Sequence, residues 1–502
     1  MKILFYNWVD YLDSENRGGG VSVYQRNVLD YLSRSTDHEL YFLSGGISYD
    51  LINSDVRISK MDHGKKPSSM EMEKVERFEI VNSPVLSPAH HSFGNDAQIS
   101  DEETERVFFE FVKNYGPFDA IHFNNLEGIP AAVLDIKQKY PNTKVILSMH
   151  NYYPFCSQVN LWYQEKEHCD DFFYGKKCIG CLSYVPNEYD IKRANAIAFS
   201  LKKRGIGPGS KIFSNLFKVE LKALRFYEKR GLGKKLSLNY QKTTKDDNKL
   251  FIEISGEKYV GRRNEFVKLI NENCDHVLAV SDRVGEISIN YGINKELVVT
   301  DYIGTKYSEI YSQTPTPKGL ITDQNGELTL TYLGYMRRDK GFYFLVDALY
   351  NMPPELANKI NIIVAARNTA PDQLEILKGQ IWKFKSISYA DGYTHETLPD
   401  ILSKTNVGII PVQWEDNLPQ VAIEMHSQKI PLITSHRGGA HELSNNPEFT
   451  FNSDSQDELY AILQKMVSGE LKHEDYWPKA MKPVGLEEHC SKLTNVFFRQ
   501  SN

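Results

Sequence analysis

Short apolar runs alternate along this chain with longer stretches of helical periodicity. Ile3–Trp8, Glu39–Leu43, Ala120–Phe123, Lys144–Met149 and His276–Val280 read as strands, and Val21–Ser33, Glu102–Tyr115 and Pro130–Lys139 read as helices. Strand, crossover helix and strand in succession predict a parallel, doubly wound α/β sheet. A second set opens at Leu328–Gly334 and continues through Ile360–Ala365, Val407–Pro411 and Pro431–Thr434. Between the sets, Ser312–Gly319 is rich in proline and short polar residues, as a linker is. The expected organisation is one doubly wound domain over 1–311, another over 320–485, and a helix over 486–502 that crosses back. The chain shows no repeat of solenoid length and no low-complexity tract.

At 502 residues the chain exceeds one ordinary core, which agrees with two domains. Its 41% hydrophobic and 25% charged residues are average for a globular protein, while 29 tyrosines suit surfaces that stack on sugar rings or bury large area. No apolar run approaches the roughly eighteen residues that span a bilayer. Met1–Trp8 is too short for a signal peptide and reads as a strand. Six cysteines do not make a disulfide scaffold, so a cytoplasmic location is expected. The net charge of −6 excludes no partner, but its distribution is uneven. Residues 191–250, within an insertion over about 185–260, carry 16 Lys or Arg against 4 Asp or Glu. There Lys202-Lys-Arg204, Lys229-Arg230 and Lys234-Lys235 stand among Phe213, Leu216, Phe217, Leu221, Leu224 and Phe226. Two readings stand: an insertion packing its apolar face on the first domain, or a basic amphipathic helix at the inner face of a membrane. No motif points to nucleic acid.

Three segments carry candidate chemistry. Asn16-Arg-Gly-Gly-Gly-Val-Ser22 follows the first strand and opens a helix, so Gly19 and Gly20 let backbone N–H groups approach a ligand; as a lone feature it is equally an ordinary turn. It lacks the G-x-G-x-x-G spacing of a dinucleotide fold. Gly334-Tyr-Met-Arg-Arg-Asp-Lys-Gly341 places Arg337, Arg338 and Lys340 where a strand ends, suited to a diphosphate or, standing alone, a solvated basic turn. Trp414–Glu424 is an acidic loop running into a helix that Pro419 can open. A helix N-terminus attracts phosphate, and carboxylates such as Asp416 and Glu424 accept hydrogen bonds from sugar hydroxyls. A strand from Pro431, a Gly438-Gly439 turn and another helix follow.

The order of these parts resembles the GT-B glycosyltransferases, and most closely glycosyltransferase family 4. The equivalents are Gly18–Gly20, Arg338 with Lys340-Gly341, Asp416 with Glu424, and Gly438-Gly439. Two positions depart: Asp416 stands where Glu is usual, with Glu415 one place out of register, and Tyr335 stands where many relatives have Arg. The resemblance implies two Rossmann-like domains facing across a cleft, with Glu424 on the nucleotide ribose. Lys340 with Arg337 or Arg338 would hold the diphosphate, and backbone around Asn417, Leu418 and Pro419 would touch diphosphate or donor sugar. It also implies donor contacts for His150 in Ser148-Met-His-Asn-Tyr152, while His122 and Glu127 would reach the acceptor. The implied reaction is retaining transfer from a nucleotide diphosphate sugar to a glycan or lipid-linked glycan, in surface polysaccharide biosynthesis. His150, Asp416 and Lys340 would be its catalytic groups. A diphosphate leaves without protonation, so positive charge and helix dipoles do most of the work, and neither a protein nucleophile nor a metal cofactor is expected. Two alternatives remain: a GT-B nucleotide-sugar epimerase, or an inactive sugar-binding protein.

Four cysteines are bunched, Cys156, Cys169, Cys178 and Cys181, the last two as a C-x-x-C knuckle. Such thiols could hold a structural zinc or an iron–sulfur cluster, form a redox disulfide, or stay as unpaired structural cysteines. Similar clusters follow the His-Asn-Tyr strand end in a subset of family 4. Cys274 and Cys490 read as isolated.

Overall fold

The computed structural model describes residues 1–15, 17–62, 74–185, 187–229, 255–394 and 396–498. Asn16 of the glycine loop and positions 230–254 of the basic insertion lie outside the described residues. Contacts divide the chain into two compact units: Met1–Leu29, Thr36–Val145 and Asp171–Asn273 form one, and Asp30–Ser35, Ile146–Asp170 and Cys274–Asn502 form the other.

The first unit holds strands β1 (Lys2–Asn7), β2 (Glu39–Ser48), β3 (Arg57–Lys60), β4 (Glu76–Val81) and β5 (Ala120–Phe123). They neighbour one another in the order β5-β1-β2-β4-β3. All pairs are parallel except β3 with β4, and Ile3 faces Leu40 on one side and Ala120 on the other. Every residue of β1 after Lys2 is buried, as expected for a parallel strand covered on both faces. Helices α1 (Gly19–Ser35, of which Asp30–Ser35 count with the second unit), α2 (Glu102–Tyr115), α3 (Glu188–Lys203), α4 (Lys211–Lys229) and α5 (Glu257–Asn273) complete it. In α2 the Asp101 carboxylate accepts from Thr104 N–H at 2.9 Å, three glutamates load the first turn, and Gly116 follows the last. The helix expected over Pro130–Lys139 is instead a 3₁₀ turn, Ala131–Asp135, running into a single α turn, Ile136–Lys139.

The second unit holds β6 (Lys144–Met149, in this unit from Ile146), the short hairpin β7 (Trp162–Tyr163) with β8 (Glu167–His168), β9 (His276–Ala279) and β10 (Val298–Thr300). β6, β9 and β10 are parallel neighbours. Helices α6 (Asp282–Asn290) and α7 (Tyr307–Gln313) lie in this stretch. Then come β11 (Leu328–Tyr335), α8 (Phe342–Asn351), β12 (Ile360–Arg367), β13 (Ser386–Ala390), β14 (Val407–Ile410), α9 (Gln420–Ser427), β15 (Leu432–Ser435), β16 (Thr450–Phe451), α10 (Gln456–Ser468) and α11 (Leu486–Phe498). The six strands β13-β12-β11-β14-β15-β16 form one all-parallel sheet.

Successive residues of these strands feed two separate cores. Leu330, Tyr332, Ile362, Val364, Val407 and Ile409 pack with Phe342, Leu345 and Leu349 of α8. Leu333, Ala365, Ile410 and Leu432 pack with Ala422, Ile423 and Met425 of α9. Strand side chains alternate between faces, so each strand supplies both layers, which is the doubly wound arrangement expected. β11 pairs with β14 through Leu330↔Val407 and Thr331↔Gly408. The loops after these two parallel strands therefore open at the same sheet edge, where open α/β sheets bind ligands.

Candidate functional site

At the end of β11 the chain turns through Gly334, Tyr335 is exposed, and Tyr332 Oη donates to the Tyr335 carbonyl at 2.7 Å. The Arg337 guanidinium forks onto Asp339 at 3.0 and 2.7 Å, and Gln413 N–H donates to the Asp339 carbonyl at 2.8 Å. Arg337 is thus committed to bracing the turn. Arg338 lies 4.3 Å over the Tyr343 ring, and its charge is not ion-paired among the described contacts. Gly341 has φ +78°, and a Cβ there would sit 1.7 Å from the Pro411 carbonyl oxygen, so only glycine lets the two strand-end loops approach so closely.

Lys340 is brought to the acidic loop after β14. Its ammonium donates to Asp416 Oδ2 at 2.6 Å and lies 5.1 Å from the Trp414 ring centre. The neighbouring carboxylate has another task. Glu415 receives the Arg283 guanidinium at 3.1 and 2.8 Å, Arg437 at 3.0 Å and Gly438 N–H at 2.9 Å. Burial opposes its ionisation, but the Arg283 charge and these hydrogen bonds outweigh that cost and hold its pKa down at about 2. Of the two adjacent acids, Asp416 therefore meets the basic motif and Glu415 anchors the loop. Gly438 adopts φ +69°, and a Cβ would meet the Asp416 carbonyl at 1.9 Å; Gly439 N–H donates to that same carbonyl at 2.9 Å. Past this turn the expected helix is a single 3₁₀ turn, Ala440–Leu443. Its Glu442 accepts from Asp282 and Arg283 N–H at 3.0 and 2.8 Å, capping α6.

Pro419 stands at the N-cap of α9, one place before the first helical turn that it was expected to occupy, and Gln420 begins the helix. Glu424 lies on this helix, largely buried, and accepts from Tyr307 Oη at 3.3 Å. Burial and the Glu424 charge push the Tyr307 phenol up to about 12. Burial, then Glu424 and the phenols of Tyr335 and Tyr307, also raise Tyr393. Two tyrosines, Tyr307 and Tyr393, thus lie near the Glu424 carboxylate. Both were missed in the sequence because Tyr307 and Tyr393 come from segments far from Glu424 and from each other.

Asn417 Nδ2 donates to the Met149 carbonyl at 3.1 Å, tying the acidic loop to the end of β6. His150 comes next in the chain; burial, then the nearby His489, push its pKa down to about 3, so its imidazole is neutral at neutral pH. Leu418 packs into the core on the α9 face of the sheet. The second unit therefore brings together Lys340, Asp416, Asn417 and the end of β6, with Glu424 one helical stretch away.

In the first unit Gly19 takes φ +53°, with open space within 4 Å of where a Cβ would stand, and Gly20 is the second residue of α1. Arg17 grips Asp13 through N–H at 2.9 Å, Nε at 3.1 Å and a terminal nitrogen at 2.8 Å, which closes the turn before these glycines. His122 is buried with its ring 5.6 Å from that of Phe5. Glu127 is buried and accepts from Ala89 N–H at 2.7 Å. Cys178 and Cys181 belong to this unit and Cys156 and Cys169 to the second. Among the described residues, no three His, Cys, Asp or Glu side chains are arranged to hold a metal ion.

Residues 327–468 match the family model described as glycosyl transferases group 1. No curated protein sequence matches the chain. Among solved structures, HepE of Anabaena in complex with UDP is similar over 99% of both chains at 13% identity, with a TM-score of 0.51. The trehalose-6-phosphate protein of E. coli bound with UDP-2-fluoro glucose is similar over 100% of both chains at 11% identity, also with a TM-score of 0.51. The trehalose-phosphate synthase of Burkholderia multivorans is similar over 99% of this chain and 97% of its own, at 12% identity and a TM-score of 0.52. The chain has the GT-B fold, and its segment 327–468 matches the family model of the group 1 glycosyltransferases.

Proposed function

We propose that the chain is a retaining hexosyltransferase of the family 4 type, moving a sugar from UDP-sugar to a glycan or lipid-linked glycan acceptor in surface polysaccharide biosynthesis. One observation carries the reading: a buried acid, Asp416, and a lysine, Lys340, meet at the C-terminal edge of adjacent parallel strands, beside the start of α9. UDP is favoured as the nucleotide because HepE and the E. coli protein of similar fold were solved with UDP or a UDP-sugar.

In this reading Lys340 and Arg338 neutralise the diphosphate, and the start of α9 adds the positive end of its dipole. Charge that develops on the departing diphosphate is met by groups already in place, which lowers the barrier without proton transfer to the leaving group. Glu424 binds the ribose hydroxyls, with Tyr307 fixing its orientation. Asp416 and Asn417 face the donor sugar, and neutral His150 offers either a donor or an acceptor to a hydroxyl.

A thermal-shift screen with UDP-, GDP-, ADP- and TDP-sugars tests the nucleotide, since a ligand that binds only the folded state raises its apparent stability. The UDP series should give the largest shift. Glu424→Ala should weaken UDP about tenfold to a hundredfold, the loss expected of a hydrogen bond to a charged group; unchanged affinity removes Glu424 from the site. Product of inverted anomeric configuration, seen by NMR, would overturn the retaining assignment.

A further inference from the structure

The donor chemistry makes no use of α4, yet that helix has the most sharply sorted surface of the first unit. Ile212, Leu216 and Val219 recur at i, i+4 and i+7, a single stripe, and are 63%, 37% and 61% exposed. Lys211, Lys218 and Lys222 recur at i, i+7 and i+11 on the adjoining stripe and are exposed as well. Phe213 and Phe217 form a third stripe, half-buried, with stacked rings 5.9 Å apart. The helix packs against α3, so its more covered side is already partnered, while among the described residues the isoleucine–leucine–valine stripe stays exposed. Water-exposed branched aliphatics in line, flanked by a line of ammonium groups, mark an interaction face.

We propose that this face of α4 docks on a lipid bilayer bearing anionic headgroups, with the aliphatic stripe entering the interface and the lysines resting on the phosphates. Charge complementarity selects this occupant: 191–250 carries 16 basic against 4 acidic residues within a chain of net charge −6. A second copy docked through the same face about a twofold axis would bring its lysine row against an identical one. A nucleic-acid backbone would engage the lysines but leave the aliphatic stripe in water. No helix among the described residues is long and apolar enough to cross a membrane, so the contact is peripheral. The inference is independent of the donor site.

The test is sedimentation of the full chain with vesicles of phosphatidylcholine alone and of phosphatidylcholine with phosphatidylglycerol. The anionic vesicles should carry the protein down, the neutral ones should not, and added salt should release it. Replacing Lys211, Lys218 and Lys222 together by Gln should lower vesicle affinity by roughly a hundredfold, at about a fivefold loss per lysine. The triple variant Ile212→Ser, Leu216→Ser and Val219→Ser should also lose binding, while both variants keep the UDP-induced thermal shift. Leu216→Trp supplies a second readout: its emission should move to the blue when anionic vesicles are added. The proposal is overturned by no binding of the unaltered chain to anionic vesicles, by equal binding to neutral ones, by unchanged binding of the serine variant, or by an unshifted emission spectrum of Leu216→Trp. A serine variant that only converts a dimer to a monomer would assign the face to self-association and overturn it too. Loss of the UDP shift with vesicle binding intact would count against the donor site alone.

Discussion

Lys340 and Asp416 are 76 residues apart in sequence and 2.6 Å apart in the folded chain. Lys340 is ion-paired with this carboxylate, so in the proposed donor site a diphosphate would compete with Asp416 for it. Asp416→Asn should therefore tighten UDP severalfold while lowering transfer, and isothermal titration beside a turnover assay separates the two effects. Lys340→Ala should weaken UDP by about tenfold to a hundredfold and leave uridine binding unchanged, because only the diphosphate meets the ammonium. The sequence placed Lys340, Asp416 and Glu424 in one site through the order of their motifs. It left the division of labour between Glu415 and Asp416 open, since two adjacent acids look alike until Arg283 and Arg437 are brought to one of them. Glu415→Ala should destabilise the second unit by about 3 kcal/mol, because it strands two arginines around a buried position, and a urea titration reads the loss directly.

Glycines show the same contrast among the elements. Gly341 and Gly438 are both in the left-handed region, and a methyl group at either would collide with a carbonyl oxygen, of Pro411 and Asp416 respectively. Gly19 is also left-handed but opens onto empty space. Alanine at Gly19 should cost only about 1 kcal/mol of backbone strain, whereas alanine at Gly341 or Gly438 should cost several times more and disturb donor binding as well; thermal melts of the three variants rank them. Strands whose residues are mostly apolar and wholly or almost wholly buried, such as Ala120–Phe123 and Lys144–Met149, were legible to the residue. β3 and β4 were not, because Arg57, Lys60, Arg77 and Glu79 interrupt their apolar pattern. Nor did sequence distinguish a 3₁₀ turn from a helix at Ala131–Asp135, where four of five residues are buried and periodicity has no polar face to follow.

Across the whole molecule, several histidines are buried neutral. His426 sits between Tyr476 Oη at 3.0 Å and the Met481 carbonyl at 2.8 Å, and burial lowers its pKa to about 4. His473 is buried as well, and burial lowers its pKa in the same direction. A lowered folded-state pKa means the unfolded chain takes up the proton first, so stability is complete above about pH 6.5 and is lost as pH falls toward about 4. His426 alone should contribute a loss of roughly 3 kcal/mol over that window. Melting temperatures between pH 7 and 4 (an assay range of about three units) should fall steeply, and His426→Gln should flatten the fall.

The doubly wound character of both sheets was readable from strand–helix alternation. Less so was the grouping of Ile146–Asp170 with Cys274–Asn502, since nothing in composition marks it. It follows from β6 pairing with β9 and from the hydrogen bond of Asn417 to Met149. That grouping bears on how the chain can be taken apart and recombined. A graft that moves only the residues after the Ser312–Gly319 linker into a related scaffold would carry Asn417 away from its acceptor and leave His150 behind in the host. A chimera that also carries 146–170 and 274–311 would transplant the whole cassette, and it should inherit the parent's preference for donor sugar where the shorter graft does not.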